Sequence, residues 1–140
     1  RMKEVLMGYQ KENVNCVAFG DIFLEDVRKY REKKLSQAGM KAVFPLWKRN
    51  TANLTREFID LGFKAIVTCV DPKYLNSSFA GKFIGNEFVS SLPPNVDPGG
   101  ENGEFHSFVF DGPNFKKKIG VSIGEVVLRN GLYFCDLLPG

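Results

Sequence analysis

The feature that most constrains this chain is a unit that recurs along its first half: a short apolar run, a break, a helical stretch and a terminating glycine. Residues 15–19 (NCVAF) run into Gly20 and Asp21, after which Leu24, Val27, Tyr30, Arg31 and Leu35 keep helical spacing up to Gly39. Residues 40–44 stop at Pro45; Thr51 is placed to cap a helix carrying Leu54, Phe58 and Leu61, and Gly62 ends it before the apolar run 65–70. Met2, Val5, Leu6 and Tyr9 add a helix at the very start, with no capping residue before it, which reads as an element entered part-way. Strands alternating with helices imply right-handed crossovers. The expectation is therefore an α/β fold in which the runs 16–19, 40–44 and 65–70 form one parallel sheet, their carboxyl ends near a common edge.

After Asp71 and Pro72 the character changes. Residues 73–103 are rich in Asn, Ser, Pro and Gly, with a short helix expected at 86–91, and residues 105–110 read as a strand. The apolar runs 126–128 and 132–135 flank Arg129, Asn130 and Gly131, and Asn-Gly in that setting is a hairpin turn. A boundary is accordingly expected near residue 72, with domains 1–72 and 73–140, the second a smaller α+β domain with a β-hairpin.

Composition narrows the class further. With 44% hydrophobic and 25% charged residues, the chain as a whole is neither disordered nor a low-complexity polymer. Its apolar runs fall well short of the ~20 residues that span a bilayer, and no charged-then-apolar leader opens it, so the expected setting is the cytoplasm, with no membrane partner. The net charge of +3 is uneven: residues 1–50 carry 11 Lys and Arg against 6 Asp and Glu. A basic first third suits an anionic ligand or a solvated helix face. Cys16, Cys69 and Cys135 are too scattered for a disulfide framework or a zinc cluster and read as reduced core residues; no metal site is expected.

Ligands of open parallel sheets bind beyond the carboxyl ends of the strands. Three places qualify. Gly20 and Asp21 form a turn where a nucleotide could approach the backbone, or a plain turn. Residues 45–50 (PLWKRN) put Trp47 beside Lys48 and Arg49; the indole can stack on a base, face a cation or anchor the loop on the core, and Arg49 can fork onto a phosphate or carboxylate. Residues 100–106 (GENGEFH) hold Glu101 and Glu104 in a turn bracketed by Gly100 and Gly103, followed by His106, the only histidine. Such a turn could hold a cationic substrate, a metal or a proton-transfer pair, or be a solvated loop. The run Lys116, Lys117 and Lys118 reads as a solvated strand edge rather than an RNA contact, since only Phe115 interleaves with it.

Residues 20–35 (GDIFLEDVRKYREKKL), 45–50 (PLWKRN) and 100–113 (GENGEFHSFVFDGP), in that order, closely resemble the diphthine:ammonia ligase family of N-type ATP pyrophosphatases. The turn Asn-Gly-Glu-Phe-His looks most like the bacterial branch. The resemblance implies a Rossmann-like (HUP-type) ATP-binding half followed by a smaller substrate-binding half. It also implies that ATP, with Mg2+, activates a carboxyl group as its adenylate and that ammonia then displaces AMP to leave an amide. Gly20, Asp21 and Arg28, the last paired with Glu32 one helical turn on, are thereby implied in nucleotide binding. Trp47, Arg49, Gly100 and Gly103 are implied in substrate binding, and Glu101 and Glu104 in catalysis; His106, where the archaeal and eukaryotic pattern favours an acid, joins them as a catalytic candidate from its place after the turn.

The implied partners are ATP, ammonium and a carboxylate substrate, which is diphthine on elongation factor 2 in an archaeal or eukaryotic owner; an oligomer is possible. The family's pyrophosphate-binding loop is missing from these residues, so the chain is expected to be the C-terminal two-thirds of a longer protein and inactive alone. Two other classes fit the same residues: a nucleotide-binding regulatory module without catalysis, and an RNA-binding accessory domain, although nucleic acid is the poorer match.

Overall fold

In the computed structural model, which describes residues 1–140, the strands and helices expected from the sequence are present, and the chain divides into two compact units, Arg1–Arg49 and Asn50–Gly140. The first unit contains helix α1 (Met2–Lys11), strand β1 (Cys16–Ala18), helix α2 (Glu25–Gln37) and strand β2 (Lys41–Val43). β1 and β2 are parallel, with Val17 opposite Ala42. Glu25 and Asp26 place negative charge in the first turn of α2, where it favours the helix dipole. Its other end closes on Gly39: the Gly39 N–H reaches the Ser36 carbonyl, and the Met40 N–H reaches that of Leu35. That pair of bonds turns the chain back on the helix and brings Leu35 and Met40 into one small core with Leu6, flanked by Val17, Phe19 and Ala42.

The second unit runs through helix α3 (Thr51–Asp60), strand β3 (Lys64–Val70), a 3-10 turn (Ser77–Phe79), helix α4 (Asn86–Ser91) and strands β4 (Phe105–Asp111), β5 (Val121–Arg129) and β6 (Leu132–Pro139). α3 ends in the same motif as α2, the Gly62 N–H on the Ile59 carbonyl and the Phe63 N–H on that of Phe58. The rings of Phe58 and Phe63 stack at 4.9 Å across the turn. Its start differs from expectation: the cap is Asn50, whose side chain accepts the Asn53 N–H at 2.9 Å, and Thr51 is already helical.

Strand topology is where the structure departs most from the sequence reading. β3 is not in a parallel sheet with β1 and β2. It lies inside an antiparallel sheet of order β4-β3-β6-β5, paired with β4 on one edge and β6 on the other. The physical reason is that an uninterrupted apolar run reports burial on both faces and says nothing of the direction of its neighbours. Burial itself is as expected: Ala65, Ile66, Val67, Cys69 and Val70 are all buried.

The polar stretch after Asp71 turns out to be a layer of this unit. Leu75, Phe79, Ala80, Phe88 and Val96 pack with Val67, Val70, Phe105 and Cys135 in one core. The change of composition near residue 72 therefore coincides with a change of layer, while the compact units part between Arg49 and Asn50. The hairpin at Asn130 and Gly131 is as expected, with φ of 51° and 79°, the pair of left-handed residues that suits a two-residue turn between twisted strands.

Two smaller expectations are corrected. Cys16 is exposed, so only Cys69 and Cys135 are core cysteines, all three being free. Lys116, Lys117 and Lys118 are exposed but lie between β4 and β5, not on a strand edge; Lys118 Nζ sits 5.4 Å from the Phe110 ring centre. No helix is long and apolar enough to cross a membrane.

Ile66, 1% exposed at the middle of β3, gives a direct check on this core. Ile66→Ala is expected to destabilise the protein by ~2–5 kcal/mol in urea unfolding, with the slope against denaturant unchanged.

Candidate functional site

In the first unit, the parallel pairing of β1 and β2 sets their carboxyl ends side by side: the Phe19 N–H, just beyond β1, donates to the carbonyl of Val43, the last residue of β2, at 2.9 Å. The two loops that follow are tied together, because the Lys48 N–H donates to the Ile22 carbonyl at 2.7 Å. Two of the three expected strand-end positions, the Gly20–Asp21 turn and the Trp47 loop, thus come together. Gly20 is exposed, with no atom within 4 Å of where a side chain would begin, so its backbone is open to a ligand.

The side chains here form an alternating series of rings and cations. Phe19 and Phe44 stack at 5.7 Å, and Trp47 meets Phe44 edge-on at 6.1 Å. The Arg31 guanidinium lies 4.6 Å from the Phe19 ring centre, and that of Arg28 lies 4.7 Å from both Phe44 and Trp47. Each arginine also has a carboxylate: Arg31 donates to Asp21 and Arg28 to Glu32 at 2.9 Å. Cation and ring attract through the ring quadrupole, and this series holds α2 against the strand ends. Asp21 and Arg28, expected to meet nucleotide, and Trp47, expected to meet substrate, are therefore parts of one assembly in which Arg28 faces the indole. Arg49, the last residue of the unit, is exposed.

In the second unit, Gly100, Glu101, Gly103 and Glu104 form a turn that leads into β4. Gly100 has φ of 65°, and a side chain there would begin 2.9 Å from the Phe105 carbonyl oxygen, so the position needs glycine on two counts. Glu104 is fully buried. Its carboxylate accepts the Asp97 N–H at 3.0 Å, the Asn102 N–H at 2.9 Å and the Asn102 side-chain amide at 3.3 Å. Burial pushes this carboxyl up, but the N–H groups of Asp97, Glu104 itself and Asn102 outweigh it, and the group sits below the usual glutamate range. Glu104, expected beside Glu101 as a reacting group, is enclosed and holds the turn closed. Glu101 is half-buried, and His106 is exposed on β4 opposite Cys69.

Asp97 is the residue the sequence reading missed. One oxygen of its carboxylate accepts the N–H groups of Gly99 at 3.0 Å and Glu101 at 3.2 Å; the other accepts the Thr51 hydroxyl at 2.6 Å. The run Asp97-Pro98-Gly99-Gly100 carries a local signal for this, since an aspartate ahead of Pro and Gly commonly accepts the N–H two residues on. No local signal announces the bond to Thr51, 46 positions away.

The fold and these sites define a two-unit α/β protein, with a cation–aromatic assembly at parallel strand ends in one unit and a carboxylate-closed turn in the other. Residues 50–137, nearly the whole second unit, match the family model of the diphthamide synthase C-terminal domain. The chain belongs to that family. Among its relatives, the diphthine–ammonia ligase of Mus musculus is 31% identical over 136 residues, covering 91% of this chain and 50% of the mouse protein. That of Homo sapiens is 30% identical over 137 residues with the same coverage, and that of Schizosaccharomyces pombe is 28% identical over 140 residues, 23% of its length. The chain spans about half the length of the mammalian relatives it matches.

The state of Glu104 makes a pH-dependent prediction. A carboxyl whose folded pKa is depressed contributes stability above its unfolded pKa, ~4.3 for glutamate, and loses it as pH falls through the folded value. Glu104→Gln removes this dependence and turns an amide N–H2 towards backbone N–H donors. Urea unfolding is expected to show the variant ~1–3 kcal/mol less stable at pH 7, with the difference shrinking at pH 3.

Proposed function

We propose that the protein, at full length, is an ATP-dependent ligase that converts a carboxyl group into an amide. The observation that carries this reading is the family match over residues 50–137, which includes the whole acidic turn. As co-substrate, ATP supplies the adenylyl group that activates the carboxyl, and ammonia displaces AMP. Diphthine is the carboxylate suggested by the relatives' name.

The first unit's residues fit the nucleoside side of such a reaction. Gly20 leaves backbone open at the strand end, and the rings of Phe19, Phe44 and Trp47 with Arg28 offer an assembly beside it. Arg28 and Arg31 are each neutralised by a carboxylate, so the triphosphate is not held by this pair alone. No group of three His, Cys, Asp or Glu side chains is clustered in these residues, and none of them is assigned to Mg2+.

Glu101 is the carboxylate we assign to the substrate. With Glu104 enclosed, Glu101 is the acid of the turn that can orient a cationic group or take a proton from incoming ammonium, and Gly100 and Gly103 shape the backbone that presents it. His106, exposed at the start of β4, lies in the same short segment, and we assign it as a second proton-transfer group.

The full-length protein is expected to exchange labelled pyrophosphate into ATP when given its carboxylate substrate, because adenylation is reversible. Release of ADP and phosphate instead would refute the mechanism. Glu101→Gln should leave nucleotide affinity intact and lower amide formation by roughly 10- to 150-fold, the effect of one charge-assisted contact; unchanged turnover would remove Glu101 from the site.

A further inference from the structure

The acidic turn is held from two directions, and only one of them is local. Glu104 closes it from within, through Asp97 and Asn102. Asp97 fastens it from without, since its carboxylate takes the Gly99 and Glu101 N–H groups on one oxygen and the Thr51 hydroxyl on the other. A carboxylate only accepts, so the Thr51 Oγ–H must donate, and at 2.6 Å this is a charge-assisted bond. Thr51 is itself fixed as the first residue of α3, between the Asn50 cap and Thr55, whose hydroxyl donates to the Thr51 carbonyl at 2.9 Å. The Asp97 side chain thus meets the first turn of α3.

We propose that Thr51 and Asp97 are a positioning pair that sets the orientation of Glu101. The Glu101 N–H is bonded to Asp97, so the backbone from which the Glu101 side chain springs takes its orientation from the Asp97 carboxylate, and that carboxylate is oriented by Thr51 at the end of a regular helix. The loop of Pro98, Gly99 and Gly100 contains two glycines, whose backbone is the least restricted by its own side chains, and a reacting group needs placement to a fraction of an ångström. This inference rests on the reading that Glu101 serves the substrate; the bond from Thr51 to Asp97 does not.

The test uses Thr51→Val, which keeps the side chain's shape and removes the hydroxyl, and Thr51→Ser, which restores it. Amide hydrogen exchange is expected to speed up at Gly99 and Glu101 in Thr51→Val, remain unchanged at Asn102, whose N–H is held by Glu104, and return to wild type in Thr51→Ser. In the full-length protein, Thr51→Val should lower amide formation by roughly 10- to 100-fold, the cost of misplacing the group that serves the substrate, while ATP affinity is kept. A merely structural Thr51 would lower thermal stability, ATP affinity and amide formation together, and that result overturns the proposal. So does unchanged exchange at Gly99 and Glu101. If the wild-type protein forms no AMP, the ligase reading fails instead; exchange at those two amides then still decides whether Thr51 holds the turn.

Discussion

Much of the second unit depends on the need of β3 for a hydrogen-bonded neighbour on each edge. Its run of buried apolar residues can face neither water nor an unpaired edge; β4 fills one side, while the segment 81–84 bonds Ala65 and Val67 and β6 pairs Cys69 and Val70 on the other. That pairing brings the start of β4 beside the end of β3, where the Asp71 N–H donates to the Glu104 carbonyl at 3.0 Å. The acidic turn is thus anchored to the most buried strand of the unit, and a loop containing Gly99, Gly100 and Gly103 acquires a defined shape.

Several charged groups of this molecule hold its architecture together. A carboxylate removed from water is costly unless donors replace its hydration, and Glu104 meets that condition with N–H groups from three residues. In the first unit Arg28 and Arg31 lie on aromatic faces with Glu32 and Asp21 as counter-ions, so the basic character of residues 1–50 goes in part into fastening α2 to the strand ends.

Much of the local chemistry was readable in the sequence, the Asn50 cap of α3 and the Asp97 turn being exceptions. Gly39 and Gly62 end their helices, Asn130 and Gly131 turn the hairpin, and residues 86–91 form the short helix, because each depends on a few adjacent dihedrals and bonds. The turn 100–106 was also legible as a place of interest from its glycines and carboxylates. What was not legible was the division of labour within it, because Glu101 and Glu104 look alike in sequence and differ only in what surrounds them.

The sequence by itself determined the elements, their order, the apolar nature of β3 and the family to which the chain belongs, since these follow from periodicity, turn residues and motif. Only the tertiary structure decided that β3 runs antiparallel to its neighbours, that Glu104 is buried and ionised while Glu101 is not enclosed, and that Thr51 reaches Asp97. Partner direction, burial of one carboxylate and a bond across 46 positions depend on which segments meet in space. No short-range pattern in a single sequence encodes those meetings.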